Sequence, residues 1–193
     1  MGAVIYEDTL QQQHDGDKHK LKHEWFAAHG ITVRRTRFDG KHDVPWSFGD
    51  YWAEGANIII DTKSGLGEIS SNLGRDHSRF KREVQRANAD GCLLVVLVET
   101  TEAETIDDVT SWVNVHCRCC HHYRGKRCNP ENRDDICIRH GTKKPLQGET
   151  IAKQMTTMQI NRGVRFEFVK PEDSAKRICE LLGVVYGNGN DEQ

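Results

Sequence analysis

The feature that most constrains the fold is the most apolar run in the chain, Cys92 to Val98. A strand covered by helices on both faces forms a continuous apolar run of this kind, whereas a strand with one solvated face alternates. We therefore predict a central strand that is buried on both faces, with Cys92 in the core. The chain is then expected to adopt an α/β fold, with a mixed sheet of five or six strands and helices on both faces.

A second apolar run, Ile58 to Ile60, ends abruptly in Asp61-Thr62-Lys63. Successive side chains of a strand point to opposite faces, so Asp61 and Lys63 are predicted to share a face. An Asp-x-Lys sequence is often an exposed ion pair on an edge strand. The apolar run before it favours an interior strand instead, where charged groups need partners.

The preceding segment supplies a second acid. Phe48 to Ala53 is predicted to pair antiparallel with Asn57 to Thr62, which brings Asp50 towards Asp61. Two carboxylates and a lysine on adjacent strands are the groups needed to hold a hard divalent cation against a phosphodiester. Asp50, Asp61 and Lys63 are therefore candidate catalytic residues, and the two aspartates are expected to bind Mg²⁺ or Mn²⁺.

A third acid, Asp8, follows a short predicted strand, Ala3 to Tyr6. If that strand lies beside the strand that ends at Asp61, Asp8 joins the same site. The alternative is a turn residue, because the segment that follows is polar and contains a glycine. Asp8 is thus a further candidate catalytic residue.

A basic helix is predicted after these strands, from Arg79 to Ala89, with Phe80, Val84 and Ala87 as its buried stripe. A charge-rich helix is usually a solvated face. This one follows the candidate catalytic strand, and basic side chains supply most of the nonspecific affinity of proteins for DNA. The candidate DNA-binding residues are Arg75, Arg79, Arg82 and Arg86.

Hydrophobic spacing and capping residues predict the remaining elements. They are a helix ending near Gly30 with Leu21, Trp25 and Phe26 inward, a strand from Ile31 to Phe38, a short helix or loop from Leu66 to Leu73, a helix from Ile106 to Asn114 capped by Thr105, a helix from Gly148 to Met158, a strand from Val164 to Val169, and a helix after Pro171 that ends at Gly183.

Five of the seven cysteines lie between Cys117 and Cys137, in a polar segment without an apolar core. The short spacings Cys117-x2-Cys120 and Cys137-x2-His140 suit two ligand pairs of a tetrahedral zinc site. We predict one structural Zn²⁺, and the alternative is a reduced loop without metal. The preferred ligands are Cys117, Cys120, Cys128 and Cys137, with His140 as the main substitute and Cys119 next.

The chain has 193 residues, a length that is enough for one well-packed domain. Its formal net charge is −2. We expect a single domain over residues 1–186 with a zinc-binding insertion over 116–144, and a disordered tail over 187–193. No stretch approaches the roughly 20 apolar residues of a membrane span, and the start of the chain lacks the pattern of a secretion signal. We therefore expect no membrane contact and an intracellular, cytoplasmic location, with a prokaryotic or viral source left open.

Three segments together resemble the nuclease domain of the XPF family, within the PD-(D/E)XK superfamily. They are Asp8-Thr9-Leu10-Gln11, Phe48-Gly49-Asp50-Tyr51 and Asp61-Thr62-Lys63-Ser64. The resemblance covers roughly Val4 to Gly183, interrupted by the cysteine-rich stretch. The chain departs from the family pattern at Leu10, Gln11 and Gly67, which stand where the family has Arg, Glu and an acid. Asp61-Thr62 also replaces Glu-Arg.

The resemblance implies a restriction-endonuclease-like core and hydrolysis of DNA phosphodiester bonds, with branched or structured DNA as the substrate class. DNA is the expected partner, and a homodimer or a partner subunit stays open. The alternative favoured by Leu10, Gln11 and Gly67 is a catalytically inactive nuclease fold that acts as a zinc-stabilised DNA-binding or interaction module. A redox or metal-handling protein built around the cysteines is a third hypothesis, against which the retained Asp50, Asp61 and Lys63 speak.

Overall fold

The computed structural model of this chain describes residues 3–9, 17–41, 43–74, 76–114 and 146–187. Its centre is a six-stranded mixed sheet in the order β2-β1-β3-β4-β5-β6. The strands are β1 (Val4–Asp8), β2 (Thr32–Thr36), β3 (Tyr51–Trp52), β4 (Ile58–Lys63), β5 (Leu93–Glu99) and β6 (Arg165–Val169). The prediction of a mixed α/β sheet of five or six strands is confirmed.

Strand directions place five carboxyl ends at one edge of the sheet. β1 is parallel to β2 and antiparallel to β3, β3 is antiparallel to β4, and β4, β5 and β6 are mutually parallel. Every strand except β3 therefore runs the same way. The ends of β1, β4 and β5 and the start of β3 meet at what we call the carboxyl edge.

Helices cover both faces of the sheet. They are α1 (Asp17–Ala28), α2 (Leu66–Leu73), α3 (His77–Ala89), α4 (Ile106–Val109), α5 (Gly148–Arg162) and α6 (Ser174–Leu182), with a 3₁₀ turn at Pro171–Asp173. One core joins α2, α3, α4 and α5 to side chains such as Ile59 and Val96. The other joins α1 and α6 to the opposite face, through Ile60 and Val95. We call these the α3 face and the α1 face.

The apolar run that predicted the central strand forms β5, between β4 and β6, with both faces covered. Cys92 is buried, as predicted, and burial, together with the charge of Asp90, raises the pKa of its thiol to about 11. The predicted stripe Phe80, Val84 and Ala87 is also buried. Both predictions are confirmed. Their signals, a continuous apolar run in β5 and apolar residues at helical spacing in α3, extend over a whole element.

Two local predictions were wrong. The helix predicted to reach Asn114 is helical only over Ile106–Val109, although Thr105 is its N-cap, as predicted, and forms a capping box with Asp108. Leu21, predicted to face inward, is 51% exposed, while Lys22 beside it is 1% exposed. A buried acid, Glu99, draws the lysine inward, and this partner is invisible to a hydrophobic pattern.

No helix within the described ranges is both long and apolar enough to cross a membrane. Residues 187–193 were predicted as a disordered tail, and residues 188–193 lie outside the described part of the chain.

Candidate active site

Asp61 and Lys63 lie together on the α3 face at the end of β4. Lys63 Nζ is 2.5 Å from Asp61 Oδ1, and both side chains are buried. Asp61 Oδ2 is buried as well, and it accepts no hydrogen bond within the described residues. A buried carboxylate oxygen without a donor costs free energy. The end of β4 is therefore polar, buried and incompletely satisfied.

The charges and the burial around Asp61 disfavour its ionised form. Burial raises its pKa well above the ordinary value, Lys63 lowers it, and the negative charges of Asp50 and Glu83 raise it again. The net direction is upward. Burial alone would lower the pKa of Lys63, but Asp61, Asp50 and Glu68 raise it above its ordinary value. Lys63 therefore stays protonated at neutral pH.

Asp50 stands at the start of β3, opposite the end of β4. Tyr51 pairs with Ile60 across the two antiparallel strands. The Thr62 backbone N–H and hydroxyl both donate to Asp50 Oδ2, at 2.6 and 2.8 Å. The Asp50 side chain thus takes the place of a backbone acceptor and caps β4. The structure brings Asp50, Asp61 and Lys63 together at the carboxyl edge.

Two further acids join this group. Glu83 projects from α3, and its Oε1 accepts a hydrogen bond of 3.3 Å from the Gly49 N–H. Glu68 of α2 lies 3.9 Å from Lys63 Nζ through Oε1, and its Oε2 accepts from the Ser64 N–H and hydroxyl. Asp50, Asp61 and Glu68 thus act on the Lys63 ammonium group, and Glu83 acts on Asp61, so the site contains four carboxyl groups and one ammonium group. We call Asp50, Asp61, Lys63, Glu68 and Glu83 the acidic site.

Asp8 is farther from Asp61 than expected. β1 does not lie beside β4, because β3 separates them. Asp8 Oδ1 accepts a hydrogen bond from the Phe38 N–H, and its own N–H donates to the Asp50 carbonyl. Two strand spacings put its backbone about 10 Å from that of Asp61. The condition under which Asp8 was predicted to join Asp61 is not met, and Asp8 tethers the loop after β2 beside Asp50.

The residues missed by sequence reasoning are Thr62, Glu68 and Glu83. Thr62 lies between Asp61 and Lys63, and strand alternation assigns it to the opposite face, yet its N–H and hydroxyl both donate to Asp50 Oδ2. Glu83 lies next to the predicted buried stripe of α3, between Phe80 and Val84 along the chain. An acid at the border of an apolar stripe was the available signal. For Glu68 the signal was its place in the sequence, one position after Gly67, where the family pattern has an acid.

The arginine side of α3 adjoins the acidic site. Arg79, Arg82 and Arg86 are exposed and line one shallow depression with Gln85 and Ala89. Residues three and four apart on a helix are neighbours, so Arg79 and Arg86 lie on either side of Glu83. Within the part of the chain described here, no ion pair of these three arginines is found. Their charges are available to a polyanion.

Several predicted residues lie outside the described residues. They are Arg75, Leu10, Gln11 and the proposed zinc ligands Cys117, Cys120, Cys128, Cys137, His140 and Cys119. Their roles stay predictions. Cys92 and Cys179, the cysteines inside the described ranges, are both free and buried.

The acidic site suits a hard cation by its chemistry. Its donors are carboxylate oxygens, and one of them, Asp61 Oδ2, has no donor to satisfy it. Across the described ranges, no three His, Cys, Asp or Glu side chains gather closely enough to ligate one ion directly. Mg²⁺ fits such a site, because it keeps several waters and is typically held by one or two carboxylates and the substrate phosphate. Asp50 and Asp61 would hold it.

A second polar group lies at the same edge, on the α1 face. Glu7 of β1 is 1% exposed and accepts a hydrogen bond of 2.8 Å from the Tyr51 hydroxyl. Nε2 of His23 and Nε of Arg35 lie 3.0 and 3.1 Å from Glu7 Oε2. Burial, then the charge of Glu7, raises the pKa of Tyr51 well above its ordinary value. Both oxygens of Glu7 are thus engaged.

A buried ion pair extends this group. Lys22 Nζ lies 2.5 Å from Glu99 Oε1, and the Ser174 hydroxyl donates to the same oxygen at 2.6 Å. Lys22 also sits 5.5 Å from the centre of the Tyr51 ring. We call Glu7, Tyr51, Lys22 and Glu99, with their partners, the paired network.

Comparison with known proteins adds no assignment: no protein-family model matches the chain, and no curated protein matches it.

Proposed function

We propose that this protein is a metal-dependent endodeoxyribonuclease with a restriction-endonuclease-like core that hydrolyses phosphodiester bonds of branched or structured DNA. The observation that supports this most is Asp61, a buried carboxylate with one oxygen lacking a donor, beside Asp50 and Lys63. An acid kept in this state is unfavourable in the free protein. It becomes favourable when a divalent cation occupies the site.

Each residue has a distinct task. Asp50 and Asp61 hold the cation, and the two hydrogen bonds from Thr62 fix the Asp50 carboxylate. Once bound, the cation would polarise the phosphodiester and lower the pKa of a water nucleophile. Lys63 stays protonated, so it can neutralise charge that develops on the phosphate oxygens but cannot serve as the base.

The arginine side of α3 supports DNA as the substrate. Arg79, Arg82 and Arg86 are exposed, and no carboxylate in the described residues neutralises them. Exposed cations of this kind bind the phosphate backbone without reading sequence. Their position around Glu83 would place a bound phosphate chain next to the acidic site.

Cleavage of flap, fork, single-stranded and linear duplex DNA, with Mg²⁺ or Mn²⁺, tests the proposal. Wild-type protein should cut at least one form. Asp61→Asn should lose more than about a hundredfold in rate, since even an outer partner of a metal ligand is worth 10- to 100-fold. Lys63→Ala should lose about 10²- to 10³-fold, the usual cost of one charge-stabilising donor.

Glu24→Gln is the matched control, because Glu24 is an exposed helix acid whose contact is a surface pair with Lys20. It should cut like the wild type. If the wild-type protein cuts no DNA form with either metal, the inactive, DNA-binding alternative replaces the nuclease proposal.

A further inference from the structure

Glu83 differs from the other acids of the site because it lies in the middle of a helix, α3. It sits at the border between the buried stripe of α3 and the arginine side. Its Oε1 accepts the Gly49 N–H at 3.3 Å. The carboxylate is thereby tied to the residue that precedes Asp50.

The segment that Glu83 touches is held in place by packing. Gly49 adopts φ +77°, and a Cβ at this position would lie 2.6 Å from Ile59 Cγ1. A larger residue there would have to displace the Ile59 side chain and would adopt a backbone conformation that favours glycine. The hydrogen bond from Gly49 holds the Glu83 carboxylate beside the residue that precedes Asp50, and its charge acts on Asp61.

This placement has an electrostatic cost that no ion pair of Glu83 offsets within the described residues. No cationic side chain among them is within ion-pair distance of Glu83, although Arg79 and Arg86 are its neighbours on the helix. Asp61 already bears an oxygen without a donor. Adding a third carboxylate near a buried acid is unfavourable unless positive charge enters the site.

We infer that Glu83 is the third carboxylate of the cation site and acts through the hydration shell of the ion, a role that depends on the proposed metal-dependent function. Direct ligation is disfavoured because no three acidic side chains in the described ranges gather around one point. Mg²⁺ retains several of its waters, and carboxylates outside the ligand sphere orient them. Glu83 is thus a positioning residue for the cation.

The substitution Glu83→Gln separates this role from a structural one. Glutamine keeps a side-chain oxygen that can accept the Gly49 N–H, so a purely structural contact is preserved. Only the negative charge is removed. Glu83→Ala removes both the charge and the hydrogen bond from Gly49. Comparing the two variants therefore separates the effect of the charge from that of the hydrogen bond.

The test measures Mn²⁺ binding to the full chain without DNA, by the loss of the free-ion signal in electron paramagnetic resonance. Glu83→Gln should bind Mn²⁺ about 10- to 100-fold more weakly than the wild type, the usual effect of an outer partner. Its free energy of unfolding without metal should not fall. Glu24→Gln should bind Mn²⁺ like the wild type, and Asp61→Asn should not bind it at this site.

The outcomes separate this inference from the function on which it depends. If Asp61→Asn loses Mn²⁺ and Glu83→Gln binds it with wild-type affinity, Glu83 has no role towards the cation while the nuclease proposal stands. Equal weakening by Glu24→Gln would also overturn the inference, since the effect would be one of net charge. If the wild-type protein binds no Mn²⁺, both proposals fail.

Discussion

The two faces of the sheet treat buried acids in opposite ways at the same carboxyl edge. On the α1 face, Glu7 and Glu99 are almost fully buried, and each is held by cationic or hydroxyl partners. On the α3 face, Asp61 is equally buried but has one oxygen without a donor and two acids acting on it. The first arrangement is complete without any ligand, and the second is not.

This difference distinguishes a structural charge from a candidate functional one better than burial does. Both networks would be found by a search for buried charges, and both contain a lysine in contact with an acid. Of the two, only the acidic site has more carboxylates than cationic side chains, four against one among the described residues, and only there does a buried carboxylate oxygen lack a donor. Incomplete satisfaction is therefore the informative property, because native proteins seldom leave a buried polar atom without a partner.

The largest expected effect concerns the stability of the paired network. Glu99→Gln removes the carboxylate charge 2.5 Å from the buried Lys22 ammonium, which should lower the free energy of unfolding by about 3–5 kcal/mol. Urea denaturation measures this. Glu24→Gln, which breaks an exposed pair of 3.7 Å, should change stability by less than about 1 kcal/mol. Similar losses in the two variants would mean that Lys22 finds another partner.

The next effect distinguishes the two faces by their response to a cation. Mn²⁺ at about 100 times its Kd should raise the free energy of unfolding by about 2.7 kcal/mol. We expect this increment in the wild type and in Glu99→Gln, because Glu7 and Glu99 already have cationic and hydroxyl partners, but not in Asp61→Asn. Stabilisation of Asp61→Asn by the full increment would place the ion elsewhere.

The same binding should depend on pH with a definite sign. The pKa of Asp61 is raised in the folded protein, so without metal the folded state keeps this proton more tightly than the unfolded state. Its contribution to stability is present at low pH and declines as the pH rises from the ordinary value towards the raised one. The cation must displace the proton, so Mn²⁺ affinity should rise over that window and binding should release protons.

Sequence reasoning predicted what periodicity encodes. The central strand β5, the buried stripe of α3 and the shared face of Asp61 and Lys63 follow from apolar runs and strand alternation. Glu83 and Thr62 were missed because their roles depend on contacts between separate elements. Lys22 was missed for the same reason, since its partner Glu99 lies 77 residues away.

The order of strands was the other limit. Asp8 was predicted to join Asp61 on the condition that their strands are neighbours, and β3 lies between them. The polar residues at the ends of β1 and β4 gave no information on whether another strand lies between these two strands. Pairing order depends on the packing of the whole sheet and not on the ends of single strands.

The smallest expected effect extends the comparison to the arginines. Arg177 is paired with Glu167 and Glu180, whereas Arg82 has no ion pair in the described residues. If Arg82 contacts a DNA phosphate, Arg82→Ala should reduce the slope of log Kobs against log salt by about 0.9, one released counterion. Arg177→Ala should leave that slope unchanged. Fluorescence anisotropy, measured in an Asp61→Asn background to prevent cleavage, gives both slopes.

Because each arginine adds only one phosphate contact, affinity at a single salt concentration should fall only a few-fold, and the slope is the sharper measurement. Identical slopes for Arg82→Ala and its parent would show that the exposed side of α3 does not meet DNA, and the substrate chain would then have to approach the acidic site from another direction.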